Sequence, residues 1–151
     1  MNFLIIPFLI FPFFPVPISF WGFYGHALLN RQAVFSLPPE MLPLYRLELQ
    51  FISENAVNPD RRRYAVKGEA EKHYIDLDHY GDSALYKLPK YWAEAIQKYP
   101  EDSLRAHGIG PWSAYLTFFS LTKAFAAKDK TAILRLSADL GHYLGDLNVP
   151  L

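Results

Sequence analysis

Apolar residues recur at intervals of three and four along most of this chain, and prolines cut the rhythm into helix-sized pieces. Ala27 to Phe35 sets Leu28, Leu29, Ala33 and Val34 near one helical face, and the pair Pro38-Pro39 breaks it. Leu42 to Ala56 predicts a second helix on Leu44, Leu47, Phe51 and Ile52, ended by a turn at Asn58-Pro59-Asp60. A polar run from Tyr64 to Tyr80 carries two histidines and several acids, and a short amphipathic piece from Tyr91 to Lys98 follows, ending at Pro100. Gly110-Pro111 opens a long helix to about Ala127, whose Trp112, Tyr115, Leu116, Phe119 and Leu121 are expected to be buried on several sides. The last helix runs from about Lys130 to Leu144 on Leu134, Leu136, Ala138 and Leu140, with His142 and Asp146 one turn apart near its end. No run of Val, Ile and Thr with hairpin turns interrupts the series, so the expected fold class is all-α, a single helical domain over residues 21–151.

The first 20 residues break this pattern: none is charged, and every Lys, Arg, Asp and Glu lies after Trp21. Pro7, Pro12, Pro15 and Pro17 argue against a long regular helix there, so residues 1–20 read as a secretory signal, with an uncleaved membrane anchor as the alternative. A signal implies export, to a periplasmic or extracellular location. Over the whole chain of 151 residues, 51% hydrophobic content supports a real core, which excludes a disordered chain. Lys+Arg and Asp+Glu number 15 each, so no overall basic field points to nucleic acid. Cysteine is absent, which removes disulfides and thiolate ligands and leaves His, Asp, Glu and backbone groups for any metal.

His142 and Asp146 at i and i+4 stack an imidazole and a carboxylate on one helix face. Alone, that spacing describes many surface hydrogen bonds. Two further segments also offer imidazole and oxygen ligands: Trp21-Gly22-Phe23-Tyr24-Gly25-His26, and Asn58-Pro59-Asp60 through His73-Tyr74-Ile75-Asp76.

In that order these residues resemble the zinc-dependent phospholipase C enzymes and the fungal and plant zinc nucleases of the S-one/P-one type. Trp21 to His26 is similar to the family's Trp-Gly-x-x-Gly-His start, and His142-Tyr143-Leu144-Gly145-Asp146 through Pro150-Leu151 is similar to its His-phi-x-Gly-Asp-x-x-x-Pro-Leu-His, where phi is aromatic or apolar. The resemblance implies a multi-helix phospholipase C/zinc nuclease-like bundle. It implies one zinc on Asp60, His73, His142 and Asp146, and another on Trp21, His26 and a bridging Asp146. A third family zinc uses the histidine after Pro-Leu, a later His and a carboxylate, which this sequence does not include, so the domain is expected to be incomplete at its C-terminus.

The chemistry that follows is attack on phosphorus by water activated between carboxylate-bridged zinc ions, with Asp60 assisting. Arg63, three residues after Asp60, is the expected phosphate contact, against a reading in which it is one of a solvated Arg61-Arg62-Arg63 run. Asp76, Asp78 and Asp139 are available to orient the imidazoles, or are exposed carboxylates; His79 and His107 read as structural or exposed, and Trp92, Trp112, Tyr115 and Phe119 as core. The expectation is therefore a zinc-dependent, phospholipase C-like hydrolase of phosphoric ester bonds. Its substrate would be a phospholipid, with contact to a membrane surface, and no protein partner is expected. A single-strand nuclease with a nucleic-acid phosphodiester substrate is the alternative, and a non-catalytic helical envelope protein is the rival from another class.

Overall fold

The computed structural model describes residues 22–149. The expected signal, the expected ligand Trp21, and Pro150-Leu151 lie outside the described residues. Within them the chain is all-α: α1 (Gly22–Val34), α2 (Leu42–Leu47), α3 (Leu49–Asn55), α4 (Asn58–Arg62), α5 (Ala84–Lys87), α6 (Trp92–Lys98), α7 (Glu101–Ala106), α8 (Gly110–Ala126) and α9 (Lys130–Asp146). Single 3-10 turns at Ala70–Lys72 and Asp78–Tyr80 shape the polar stretch between α4 and α5. No strand occurs among the described residues, and none of their helices is long and apolar enough to cross a membrane.

Two long helices make the frame. Gly110 and Pro111 sit in the first turn of α8, where a missing N–H costs nothing, and Asp129 caps α9 by accepting from Ala132 N at 3.0 Å. The three residues between them, including Lys128 at φ 54°, turn α9 back along α8. One apolar cluster joins Val34, Tyr45, Ile52, Ala124, Ile133 and Leu134, and a second joins Ala95, Leu104, Ile109 and Trp112. Thus α8 links the two clusters, and α9 starts in the first and carries His142 and Asp146 at its far end.

Several local expectations needed correction. The buried stripe of α1 is His26, Asn30 and Val34, while Leu28 and Leu29 face outward. The i, i+4 spacing of that stripe presses α1 onto α3 and α9, and Asn30 Nδ2 donates to the buried Ala138 carbonyl at 2.9 Å. The second predicted helix is two, broken at Glu48 (φ −108°, ψ 20°), which leaves Leu47 85% exposed. Pro59 starts a helix instead of forming a turn, because a proline in the first turn gives up no hydrogen bond. On α8 the small residues Gly110, Ser113 and Ala114 are buried beside Trp112, whereas Leu116, Phe118 and Phe119 are exposed. Burial on several sides does not occur there, since α8 packs mainly on α9.

Candidate metal centre

Four chain segments converge at the end of α9. His26 comes from the first turns of α1 and Asp60 from the middle of α4; His73 follows the Ala70–Lys72 turn, and His142 and Asp146 share one face of α9. His26, His73 and His142 are all buried, and the two carboxylates are partly so. Asp146 Oδ2 lies 2.7 Å from His73 Nδ1 and 3.1 Å from His142 Nε2, and these two nitrogens are 3.1 Å apart. Asp60 Oδ1 stands 3.7 Å from each of the same nitrogens. The other oxygen of Asp146, Oδ1, is 3.1 Å from His26 Nε2, which is also 4.0 Å from Asp60 Oδ2. His26 stacks on His142 with ring centroids 3.8 Å apart.

These spacings can be compared with what a metal demands. Ligands at about 2.0–2.2 Å from a tetrahedral zinc lie about 3.3–3.6 Å from one another. Two overlapping groups each place one ligand atom per residue within 4.8 Å of one another: Asp60, His73 and His142, and His26, His142 and Asp146. His26 with Asp146 Oδ1 forms the beginning of a second, carboxylate-bridged group. Mixed nitrogen and oxygen donors without thiolate suit several divalent metals, zinc among them.

The protonation of His142 is constrained by its other side. Its Nδ1 is 2.8 Å from the carbonyl oxygen of Ala56, an acceptor only, so the proton belongs on Nδ1. The neutral ring then turns the lone pair of Nε2 toward Asp146, and two acceptors face each other at 3.1 Å unless a proton or a metal ion lies between them. His73 has no such support: its Nε2 is buried with no hydrogen-bond partner. Burial works to raise the Asp146 carboxyl, but the imidazoles of His142, His26 and His73 set against its oxygens outweigh it and hold the group far below the usual carboxylate range.

Backbone contacts position His73. Ile109 N donates to Glu71 O at 2.6 Å, Gly110 N to Tyr74 O at 2.9 Å, and Asp76 N to His107 O at 2.7 Å. The segment between α7 and α8 therefore grips the chain on both sides of His73. Gly108 makes the grip possible: at φ +86°, a Cβ would stand 2.3 Å from the Tyr74 carbonyl oxygen. Gly145 does the same for α1, since a Cβ there would lie 3.2 Å from His26 Nδ1.

Arg63 lines a cleft of about 370 Å³ together with His73, Tyr74, Ile75, Leu77, Asp146, Leu147 and Val149. Its neighbour Arg62 turns inward. Arg62 pairs with Asp139 through both terminal nitrogens (3.1 and 3.0 Å), with Glu69 through Nε (2.9 Å) and with the Tyr143 hydroxyl (3.0 Å). Tyr143 also donates to Glu69, and Lys72 Nζ reaches the other Glu69 oxygen at 2.9 Å. Burial acts to raise the Glu69 carboxyl, yet Tyr143, Lys72 and Arg62 together leave it below its ordinary value. Burial, then the Glu69 charge, pushes the Tyr143 phenol well up.

The structure thus brings together His26, Asp60, His73, His142 and Asp146, with Arg63 on the adjoining wall. Asp139 is buried, but it serves Arg62 and not an imidazole, and Asp76 pairs with His107 at 3.2 Å. His79 and His107 stack on each other with centroids 3.3 Å apart, away from the cluster. Trp112 is core as expected, whereas Phe119 is not. Sequence reasoning missed Arg62, Glu69 and Tyr143. The run of three arginines gave no sign of which one turns inward.

Fold and site together define an all-α protein with a buried imidazole and carboxylate cluster opening on a cleft. Compared with family models, curated proteins and solved structures, the chain has no match.

Proposed function

We propose that this protein is a zinc-dependent hydrolase of phosphoric ester bonds, phospholipase C-like in fold and reaction. One observation carries the reading: Asp60, His73 and His142, and His26, His142 and Asp146, gather their donor atoms in two overlapping groups of three, the ligand count that leaves a position on an ion open to water. Held by these residues, zinc would supply Lewis-acid chemistry toward a phosphoryl oxygen and would lower the pKa of a water for attack on phosphorus. His142, tied to Ala56, and His73, gripped by the α7–α8 segment, hold their donor atoms in place. Asp60 stands furthest from the imidazoles, at 3.7–4.0 Å, and is the carboxylate best able to take a proton from water. Arg63 offers a planar cation to a phosphate entering the cleft, while Ile75, Leu77, Leu147 and Val149 supply an apolar wall.

That wall and the balanced charge favour a phospholipid over a single-stranded nucleic acid. Export through residues 1–20 belongs to the same reading, and an exported chain beginning at Trp21 would supply the free amine that the resemblance implies. Metal analysis of the purified protein tests the proposal: zinc should be present in the wild type and lost in His142→Ala and Asp146→Ala. Normal zinc content in both variants would sink it. Parallel assays on a phosphatidylcholine analogue and on single-stranded DNA separate the two substrate readings.

A further inference from the structure

We infer that Arg62 is a positioning residue for the ligand set, its one guanidinium fixing the relative placement of the three chain segments that carry Asp60, His73, His142 and Asp146. The inference rests on the metal-binding reading. Arg62 lies two residues after Asp60 on α4. Its Nε pairs with Glu69, four residues before His73, at 2.9 Å. Its terminal nitrogens hold Asp139 at 3.1 and 3.0 Å and the Tyr143 hydroxyl at 3.0 Å, on the α9 turns that bear His142 and Asp146.

The network closes on itself. Tyr143 donates to one Glu69 oxygen and Lys72 occupies the other, so the nearly inaccessible Glu69 is bonded on both oxygens. Two cations, Arg62 and Lys72, face two carboxylates, Glu69 and Asp139, which makes the group electrically neutral without the ligands. Only a planar fork reaches acceptors on separate segments at once; a lysine ammonium at this position is a point charge on a flexible stem. Arg62 therefore acts on the ligands through the backbone of α4 and through α9, with its charge already matched by Glu69 and Asp139.

The test compares zinc affinity, by competition with a chromophoric chelator, and the visible absorption of the cobalt(II)-loaded protein. The chains are wild type, Arg62→Lys, Tyr143→Phe and Ile133→Val, the last a core change in the first apolar cluster. Arg62→Lys should weaken zinc binding about 10- to 100-fold, the usual scale for groups that orient ligands, and should alter the cobalt spectrum. Tyr143→Phe should do both to a smaller extent, and serves alone if Arg62→Lys fails to fold. Ile133→Val should lower the melting temperature of the metal-free protein and leave both metal readouts unchanged. Wild-type affinity and spectrum in the Arg62 and Tyr143 variants would overturn the inference, as would affinity losses that merely track melting temperature across all three. A wild type that binds no zinc overturns the metal-binding reading itself, and this inference with it.

Discussion

Replacing Gly108 by alanine should loosen the grip on His73 and so reach the candidate centre from outside it. Two costs add. An L-residue held at φ +86° costs about 1–2 kcal/mol. The new Cβ would also stand 2.3 Å from the Tyr74 carbonyl oxygen and 2.7 Å from its carbon, both rigid backbone atoms. Relief requires the two segments to part, which forfeits the bonds from Gly110 N to Tyr74 O and from Asp76 N to His107 O, at about 1 kcal/mol each. The total is about 3–4 kcal/mol, or a fall in melting temperature of about 10 °C for a chain of this size. Gly81 provides the matched control: its φ is +81°, but nothing lies within 4 Å of its added Cβ, so Gly81→Ala carries the conformational cost alone. Circular dichroism melts and zinc titrations of both variants decide the matter. Gly108→Ala should melt well below Gly81→Ala and bind zinc more weakly. Equal melting and equal affinity in the two would refute the reasoning.

Two more outcomes follow from buried groups. Glu69 has its folded pKa below the ordinary glutamate value of about 4.3, so its stabilisation is complete above that pH and is lost as pH falls through the lower folded value. Glu69→Gln should therefore cost about 3 kcal/mol at pH 7, with the gap to wild type narrowing below about pH 4; a gap that stays constant in urea melts from pH 7 to 3 refutes this. Tyr45→Phe removes a hydroxyl that lies 2.7 Å from Ser137 Oγ inside the first apolar cluster. It should cost about 1 kcal/mol of stability and leave zinc affinity unchanged, and a weakened metal site would contradict the separation of that cluster from the centre.

The readable part of the site was its spacing along the chain. His142 and Asp146 at i and i+4 must share a helix face wherever α9 packs, and the structure puts them there. The helical class was readable because the apolar intervals and the prolines act locally. What escaped depends on tertiary neighbours. The inward face of α1 carries His26 and Asn30 ahead of Val34, because α3 and α9 pack there and α9 supplies a buried carbonyl to Asn30, which a count of apolar positions does not show. The choice of Arg62 over Arg61 or Arg63 as the inward cation is set by Glu69 and Asp139, seven and 77 residues away. Pro59 is both a stop signal and a good first-turn residue, and only the packing of α4 on α9 selects the second.

Charge separates the two buried polar groups of this fold. Around Arg62, two cations meet two carboxylates, every described oxygen of Glu69 and Asp139 is bonded, and the network needs no further ion. A few ångströms along α9, Asp60 and Asp146 face three imidazoles; with the rings neutral their two carboxylates sum to −2. Protons cancel that charge either on the carboxylates themselves or by turning imidazoles that are at most 4% exposed into buried cations. Hydrophobic side chains of the same volume would leave a more stable core, so such a cluster is a poor device for stability. A divalent cation there would cancel −2 in a single step, replace protons between Asp146 and its imidazoles, and satisfy the Nε2 lone pair that the Ala56 carbonyl directs into the cluster. The neutral network and the acidic cluster are thus complementary: in the proposed reading Arg62 holds the segments at fixed separation with its charge already matched, and the charge left over is of the size a divalent cation would cancel.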